Sequence, residues 1–248
     1  MTNQKGTARK GNHRSIANNR RYPTGNGGIV VNIRRTWPLF FVIIPLIAGC
    51  GLFQSTAEKM YERMEKVVSI EDGFKNEQER LIELEKKEKE IYDEILSLGM
   101  KDRDKIARLS DEAAGIAKQR EECLEKERES MIRAEEEFKK LTKDIEKLDD
   151  EKLKKNAEKM YDTMMKRYEL HEELYRKYKQ GIAYDRELYA MFKEENVKLE
   201  DLEDQINKIN GIYHEVIELN GQFNKQTEAY NEAKVQFYKD AGLDVKTE

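Results

Sequence analysis

The clearest chemical signal in the sequence is Cys50, which follows the small residues Ala48 and Gly49 and the apolar residue Ile47. Small residues at these positions fit the narrow cleft of a signal peptidase, and the thiol that follows them accepts a diacylglyceryl group. The pattern therefore predicts peptidase recognition through Ile47, Ala48 and Gly49 and a covalent diacylglycerol on Cys50. Two or three acyl chains hold a protein stably on a membrane, whereas one chain binds only marginally.

The residues before Cys50 favour export. Residues 37–48 form an apolar run of twelve residues, which is shorter than the roughly twenty residues that span a bilayer but has the length of a signal-peptide core. Arg34 and Arg35 supply the positive flank. With this context, residues 47–50 resemble the lipobox of bacterial lipoproteins. An uncleaved N-terminal anchor and an ordinary buried strand are the two alternatives.

Residues 1–28 are polar, basic and rich in Gly and Asn, unlike a standard leader. We hypothesise that translation begins near Val30 or Val31, with Gly27 and Gly28 encoded by a purine-rich ribosome-binding sequence. Mass spectrometry of the precursor tests this, and a peptide covering residues 11–20 would contradict it. The predicted organisation is a leader and signal peptide over 1–49, a lipidated cysteine and tether over 50–54, and an extracytoplasmic helical domain over 55–248.

Charge divides the chain at Cys50. Residues 1–50 carry eight basic side chains and no acidic one, so the remainder holds 38 basic against 50 acidic side chains, a formal charge of −12. All three prolines also precede Cys50. Nucleic-acid binding needs a basic patch for the phosphates, so the acidic balance argues against that class of partner.

From residue 55 onward, apolar residues recur at the three- and four-residue spacing of helices. Four such stripes predict an all-α fold: an elongated, antiparallel, four-helix up-and-down bundle of coiled-coil-like helices, each roughly 60–65 Å long. Gly99 is predicted as a helix C-cap and Asp102 as the next N-cap. The pair Asp149-Asp150 predicts the next break, and Asn196 the turn before the last helix.

Some residues interrupt this pattern. Gly73, between Ser69 and Asp72 and the rest of the first stripe, suggests a kink or a new cap within the first helix. Three charged residues fall at positions of the apolar stripes: Glu88, Arg120 and Glu127.

The search for catalytic chemistry finds no signature. His171 lies on an apolar stripe and is expected to be a core or boundary histidine, and His214 lies on a different helix. Cys123 is expected to be a small buried residue. No zinc spacing, nucleophile elbow or phosphate loop is present in the sequence. We therefore expect a protein that is not an enzyme and has no metal or cofactor besides the lipid on Cys50.

A candidate ligand strip lies on the last helix, because tyrosine rings stack on sugars and asparagine amides bind polar groups. It comprises Tyr213, Asn220, Asn224, Tyr230 and Asn231. The alternative is structural: tyrosines fill the core with hydroxyls that reach its edge, and asparagines fix the register of the bundle.

The sequence resembles a known family in several segments: 95–100 (ILSLGM), 109–113 (LSDEA), 188–193 (LYAMFK), 202–206 (LEDQI) with Asn210, 223–224, 237–238 and 241–243. These segments are similar to those of the YkyA-like cell-wall-binding lipoproteins of Bacillus and related Gram-positive bacteria. The resemblance runs from the lipobox to the C-terminus. It implies lipid anchoring, a bundle of long helices and contact with the cell wall.

The functional expectation is a non-catalytic lipoprotein, held on the extracytoplasmic face of the cell membrane, that binds the cell wall (peptidoglycan) or acts as a spacer or scaffold. The alternative is an adaptor that binds an envelope protein through coiled-coil packing and has no glycan affinity. Exposed tyrosines on one face would favour glycan binding, and a contiguous exposed apolar stripe would favour a protein partner.

Overall fold

The computed structural model describes residues 55–99 and 101–243. Four long helices account for most of them: α1 (Thr56–Leu98), α2 (Arg103–Phe138), α4 (Glu151–Met191) and α5 (Leu199–Asp240). A 3-10 turn (Lys139–Leu141) and the short helix α3 (Thr142–Ile145) connect α2 to α4. Residues 55–99 and 101–243 contain no strand, so the all-α prediction is confirmed. The peptidase recognition residues Ile47, Ala48 and Gly49 and the lipidation site Cys50 lie outside the described residues.

The helix ends follow the capping signals of the sequence. The Ser55 side chain accepts a hydrogen bond from the Glu58 backbone N–H, and the Glu58 carboxylate accepts one from the Ser55 backbone N–H, which forms a capping box. Gly99 ends α1 with φ +59°, where glycine has no steric cost. Asp102 caps α2, and Asp150 caps α4 by accepting from the Leu153 N–H at 2.7 Å. These three predicted boundaries are confirmed.

Two expectations are wrong in detail. Helix α1 runs unbroken through Gly73, where a Cβ would lie 2.6 Å from Ser130 Oγ. The glycine therefore allows α1 and α2 to approach closely and causes no break. Helix α2 ends at Phe138, before the predicted break, and the chain tightens into a 3-10 turn in which the Thr142 hydroxyl donates to the Lys139 carbonyl at 2.9 Å. The apolar stripe continues through this turn, since Leu141 is fully buried.

The helices run antiparallel in sequence order, with α1 packed on α2, α2 on α4, and α4 on α5. We call the two ends of the bundle the Ser55 end, where α1 begins and α5 ends, and the Gly99 end, where α1 meets α2 and α4 meets α5. One core cluster fills each half. The cluster towards the Gly99 end is centred on residues such as Leu84, Ile182 and Ile209, and the other on residues such as Met60, Phe138 and Phe237.

The α1–α5 side closes the bundle through large side chains, because the backbones of these helices seldom approach within 8 Å. The rings of Tyr61 and Tyr238 lie 5.2 Å apart between centroids, and those of Phe74 and Phe223 lie 6.2 Å apart. Among the described residues, the buried members of the two core clusters extend from Ala57 to Tyr238 and so draw on all four long helices.

Candidate functional site

The most concentrated polar chemistry in the bundle surrounds Arg120 of α2, which is 2% exposed. Its guanidinium donates to Glu88 of α1 at 2.6 Å and to Asp185 of α4 at 3.0 Å. It also donates to the hydroxyls of Tyr178 at 2.8 Å and Tyr213 at 2.7 Å. These five residues come from all four long helices, and we call them the Arg120 layer.

Two further contacts extend the Arg120 layer. The Tyr189 hydroxyl donates to Glu88 at 2.8 Å, and the Tyr178 hydroxyl donates to Glu85. Burial raises the pKa of Glu85, although Arg120 and the Tyr178 hydroxyl act to lower it. Burial alone would lower the pKa of Arg120, but Glu88, the two tyrosines and Asp185 raise it well above its usual value. The layer therefore holds one permanent cation among three carboxylates.

A second polar layer lies between the two core clusters. His171 Nε2 lies 2.9 Å from Glu127 Oε1, and the Gln78 amide donates to the other oxygen of Glu127. The imidazole packs between the rings of Phe74 and Phe223, with centroid distances of 5.7 and 6.0 Å. The structure places His171 in the core, as the sequence predicted, with its polar atom bonded to a buried carboxylate.

The third layer, which we call the Arg167 layer, is centred on Arg167 of α4 in the half towards the Ser55 end. Arg167 is 1% exposed and binds both oxygens of Glu71 on α1, at 2.8 and 3.1 Å. Its Nε donates to the Thr227 hydroxyl of α5 at 3.0 Å, and its guanidinium lies 4.7 Å from the Phe223 ring centroid. A planar cation that meets one carboxylate in two parallel bonds is a strong and specific pair.

The candidate strip on α5 does not form a solvent-facing surface. Tyr213 and Tyr230 are each 5% exposed, and Asn220 is 8% exposed. Asn224 and Asn231 are half-buried, and Asn224 donates to the Asn220 side chain at 3.0 Å. Tyr213 also serves the Arg120 layer, where burial raises its pKa well above the usual value. The arrangement fits the structural alternative for these five residues, and their binding of a ligand stays an untested prediction.

Most other tyrosines of residues 55–99 and 101–243 are also buried. Only three of them are partly accessible: Tyr61, Tyr161 and Tyr184. Tyr61 packs on Tyr238, and Tyr161 stacks on Phe138 at 5.5 Å. These residues give no flat aromatic platform for a sugar. Exposed large apolar side chains in the same part of the chain are limited to Leu199 and Ile217, which form no continuous stripe.

Cys123 is fully buried in α2, as expected. Burial raises the pKa of its thiol to about 11, with a contribution from Glu77. The thiol is therefore protonated and shielded at neutral pH. His214 is exposed on α5 and lies 3.3 Å from Glu218. In the described part of the chain, no group of His, Cys, Asp and Glu has the arrangement of a metal site.

An open groove of about 400 Å³ lies between α2 and α4 near the Gly99 end. Its lining includes three alanines, Ala114, Ala183 and Ala190, and the buried ring of Tyr189, and its rim carries Arg186, Glu187 and Lys193. The sequence analysis did not single out these residues. The sequence signal that could have predicted the groove is the presence of three alanines at outward positions of two adjacent helices. None of the helices in the described residues is both long and apolar enough to span a bilayer.

The described residues define a structural class, namely a bundle of long helices with buried polar layers that connect them. The family model described as "Putative cell-wall binding lipoprotein" matches residues 55–240, and the chain belongs to this YkyA family. An uncharacterized lipoprotein YkyA of Bacillus subtilis is 34% identical over 207 residues, which cover 84% of this chain and 92% of that protein.

A solved structure shares the fold. The crystal structure of a conserved protein of unknown function from Staphylococcus aureus aligns with a TM-score of 0.66 over 75% of this chain and 97% of that one. Its sequence identity is 16%, so the likeness concerns the fold alone.

Proposed function

We propose that this protein is a non-catalytic lipoprotein that stands on the extracytoplasmic face of the cell membrane and contacts the cell wall as a spacer or scaffold. The observation that carries the proposal is the form of the bundle. Helix α1 has 43 residues, so the rod is about 65 Å long at 1.5 Å per residue. Polar layers that draw on three or four of its helices brace the rod along its length.

The predicted anchor lies next to one end of this rod. Cys50 precedes the Ser55 cap by five residues, a tether of at most about 17 Å. The Ser55 end is therefore the membrane end in this proposal, and the Gly99 end projects towards the wall. The family description supports the same location and the same kind of partner.

The adaptor alternative has less support. Coiled-coil pairing with a partner needs an exposed apolar seam, and the two exposed large apolar residues of the described chain, Leu199 and Ile217, lie far apart on α5. The apolar positions of all four helices are instead used within the bundle.

Anchoring is tested by metabolic labelling with an alkyne fatty acid in cells that express the wild type or Cys50→Ala. Label and membrane fractionation in the wild type, both lost in Cys50→Ala, are the expected results. Labelled Cys50→Ala protein would overturn the assignment of the anchor to this residue.

Wall contact is tested by co-sedimentation of residues 51–248 with purified sacculi across a salt series, with and without attached anionic polymers. Saturable binding that survives salt is expected. Sedimentation no greater than that of a neutral control protein would overturn wall binding and leave the spacer and adaptor roles.

A further inference from the structure

The groove between α2 and α4 contains several small side chains, although the surface around it is rich in charged residues. Ala183 and Ala190 are exposed, and Ala114 of α2 is half-buried beside them. Methyl side chains let the backbone of another chain lie close to a helix. The floor therefore fits a partner with small side chains better than one with bulky rings.

The charges of the rim are ordered across the groove. Arg186 and Lys193 lie on the α2 side, where their nearest acids are Glu121 at 3.4 Å and Asp111 at 2.7 Å. Glu187 lies on the α5 side, where it accepts from Gln205 at 3.0 Å. The side chains of Arg186 and Lys193 are 53% and 41% exposed. Exposed pairs of this kind contribute little, so a ligand carboxylate can replace the partner acid.

The spacing of the two cations sets a ligand length. Seven residues of helix separate Arg186 from Lys193, which is about 10.5 Å along the axis. An extended peptide covers that distance in about three residues. A matching ligand presents carboxylates to the two cations, small side chains to the alanines, and an amine to Glu187.

We infer that this groove binds a short, extended, alanine-rich peptide with free carboxylates, the class of peptide that peptidoglycan carries. The inference rests on the proposed function and narrows it, because it assigns wall contact to the peptide part of the polymer. The burial of the tyrosines agrees with it, because even Tyr189, which lines the groove, exposes no ring face on which a sugar could stack. The groove lies in the half of the rod towards the Gly99 end, about 50 Å from the start of α4.

The test measures binding of a synthetic peptide, Ala-Glu-Lys-Ala-Ala, to residues 51–248 by NMR titration, with the C-terminal carboxylate free or amidated. Binding of the free acid is expected at the groove, with a Kd up to about fivefold higher for the amide. The double substitution Arg186→Ala with Lys193→Ala is expected to weaken binding of the acid by about tenfold or more.

Two further variants keep the test specific. Lys159→Ala with Arg176→Ala removes the same charge from exposed positions of α4 outside the groove, and it is expected to bind as the wild type does. Ala190→Leu fills the floor without a change of charge and is expected to abolish binding while the far-UV circular dichroism stays unchanged.

Equal binding by the groove variants and the wild type, or no binding of the free acid, would overturn the inference. Sacculi separate it from the proposed function. If both groove variants still sediment with sacculi as the wild type does, the groove assignment fails and wall contact stands. If the wild type binds the peptide in the groove but not sacculi, wall contact fails and the groove assignment stands.

Discussion

Arg120 and Arg167 both extend across the interior of the bundle, yet the charges around them differ. Arg167 binds the Glu71 carboxylate in two parallel bonds and also donates to the neutral hydroxyl of Thr227. The guanidinium of Arg120 binds two carboxylates, those of Glu88 and Asp185, and a third, Glu85, lies at the edge of the layer. One layer is balanced, and the other holds an excess of acid.

The difference separates two ways of placing charge in a helical core. In the Arg167 layer one cation is matched by one carboxylate, so we expect apolar residues of similar volume to replace the pair at little cost. In the Arg120 layer the cation binds carboxylates from α1 and α4. It also donates to tyrosine hydroxyls of α4 and α5. Removal of one partner from a buried pair leaves an uncompensated charge, which costs far more than the pair contributes.

The largest effect is expected from Arg120→Met, because it leaves Glu88 and Asp185 buried without their cation. We expect a loss of about 5 kcal/mol or more in the free energy of unfolding, measured by urea denaturation with circular dichroism. Lys118→Met removes an exposed cation from the same helix and is expected to change stability by less than about 0.5 kcal/mol. Similar midpoints for the two variants would contradict the prediction.

Arg167→Met is expected to cost about 3–5 kcal/mol for the same reason. Because one carboxylate matches one cation in this layer, we expect rescue by a second substitution. Addition of Glu71→Leu removes the carboxylate left without its cation and should restore most of the lost free energy of unfolding. Addition of Glu88→Leu to Arg120→Met should restore much less, because Asp185 remains. A double-mutant cycle at each layer measures the difference, and equal rescue at both layers would remove the distinction between them.

Gly181→Ala tests how firmly the Arg120 layer holds its tyrosines. A Cβ at this position would lie 3.0 Å from Tyr213 Cζ, and the bonds of that hydroxyl to Arg120 and Asp185 resist its displacement. We expect a net loss of about 1 kcal/mol in thermal or urea unfolding. Gly115→Ala, with nothing within 4 Å, should instead gain up to about 1 kcal/mol from helix propensity. A gain in both variants would show that Tyr213 moves freely.

Glu85→Gln should have the smallest effect and an unusual sign. Since burial raises the pKa of Glu85 in the folded protein, its contribution to stability is greatest below the unfolded pKa of about 4.3 and falls as pH rises through the folded pKa. Glutamine still accepts from the Tyr178 hydroxyl but carries no charge. At pH 7 the variant should therefore be as stable as the wild type or more stable.

The measurement for Glu85→Gln is a series of urea unfolding curves from pH 4 to pH 8. The wild type should lose stability relative to the variant as pH rises above about 4.3. Glu83→Gln, on the exposed face of α1, should run parallel to the wild type. A variant that is less stable than the wild type at pH 7 would reverse the sign of the Glu85 contribution.

Much of the fold could be predicted from local signals. Apolar spacing gave the four helices, and Gly99, Asp102 and Asp150 marked their ends because capping depends on only a few neighbouring residues. Gly73 misled the prediction, since its role is contact with Ser130 on another helix. A glycine selected by a distant neighbour looks the same in sequence as one that breaks a helix.

Only some of the buried polar residues could be predicted from the sequence. Glu88, Arg120 and Glu127 stood out because they replace apolar residues at stripe positions. Arg167 and Asp185 did not, because they lie at the edge of a stripe, beside Tyr168 and Ile182. Their partners Glu71 and Arg120 are 96 and 65 residues away in the chain. Such pairings depend on how neighbouring helices are rotated, and the spacing within one helix does not reveal this.

The number of long helices has a practical consequence. Because the described residues form an even number of long helices, α5 returns to the end where α1 starts, and the rings of Tyr61 and Tyr238 lie 5.2 Å apart there. Reporters fused to either terminus of the bundle therefore lie at the same end of it, whereas a reporter inserted between α1 and α2 lies about 60 Å away along the bundle axis. Two reporters attached at the two ends are therefore a known distance apart, and together they can measure the depth of a layer that surrounds the bundle.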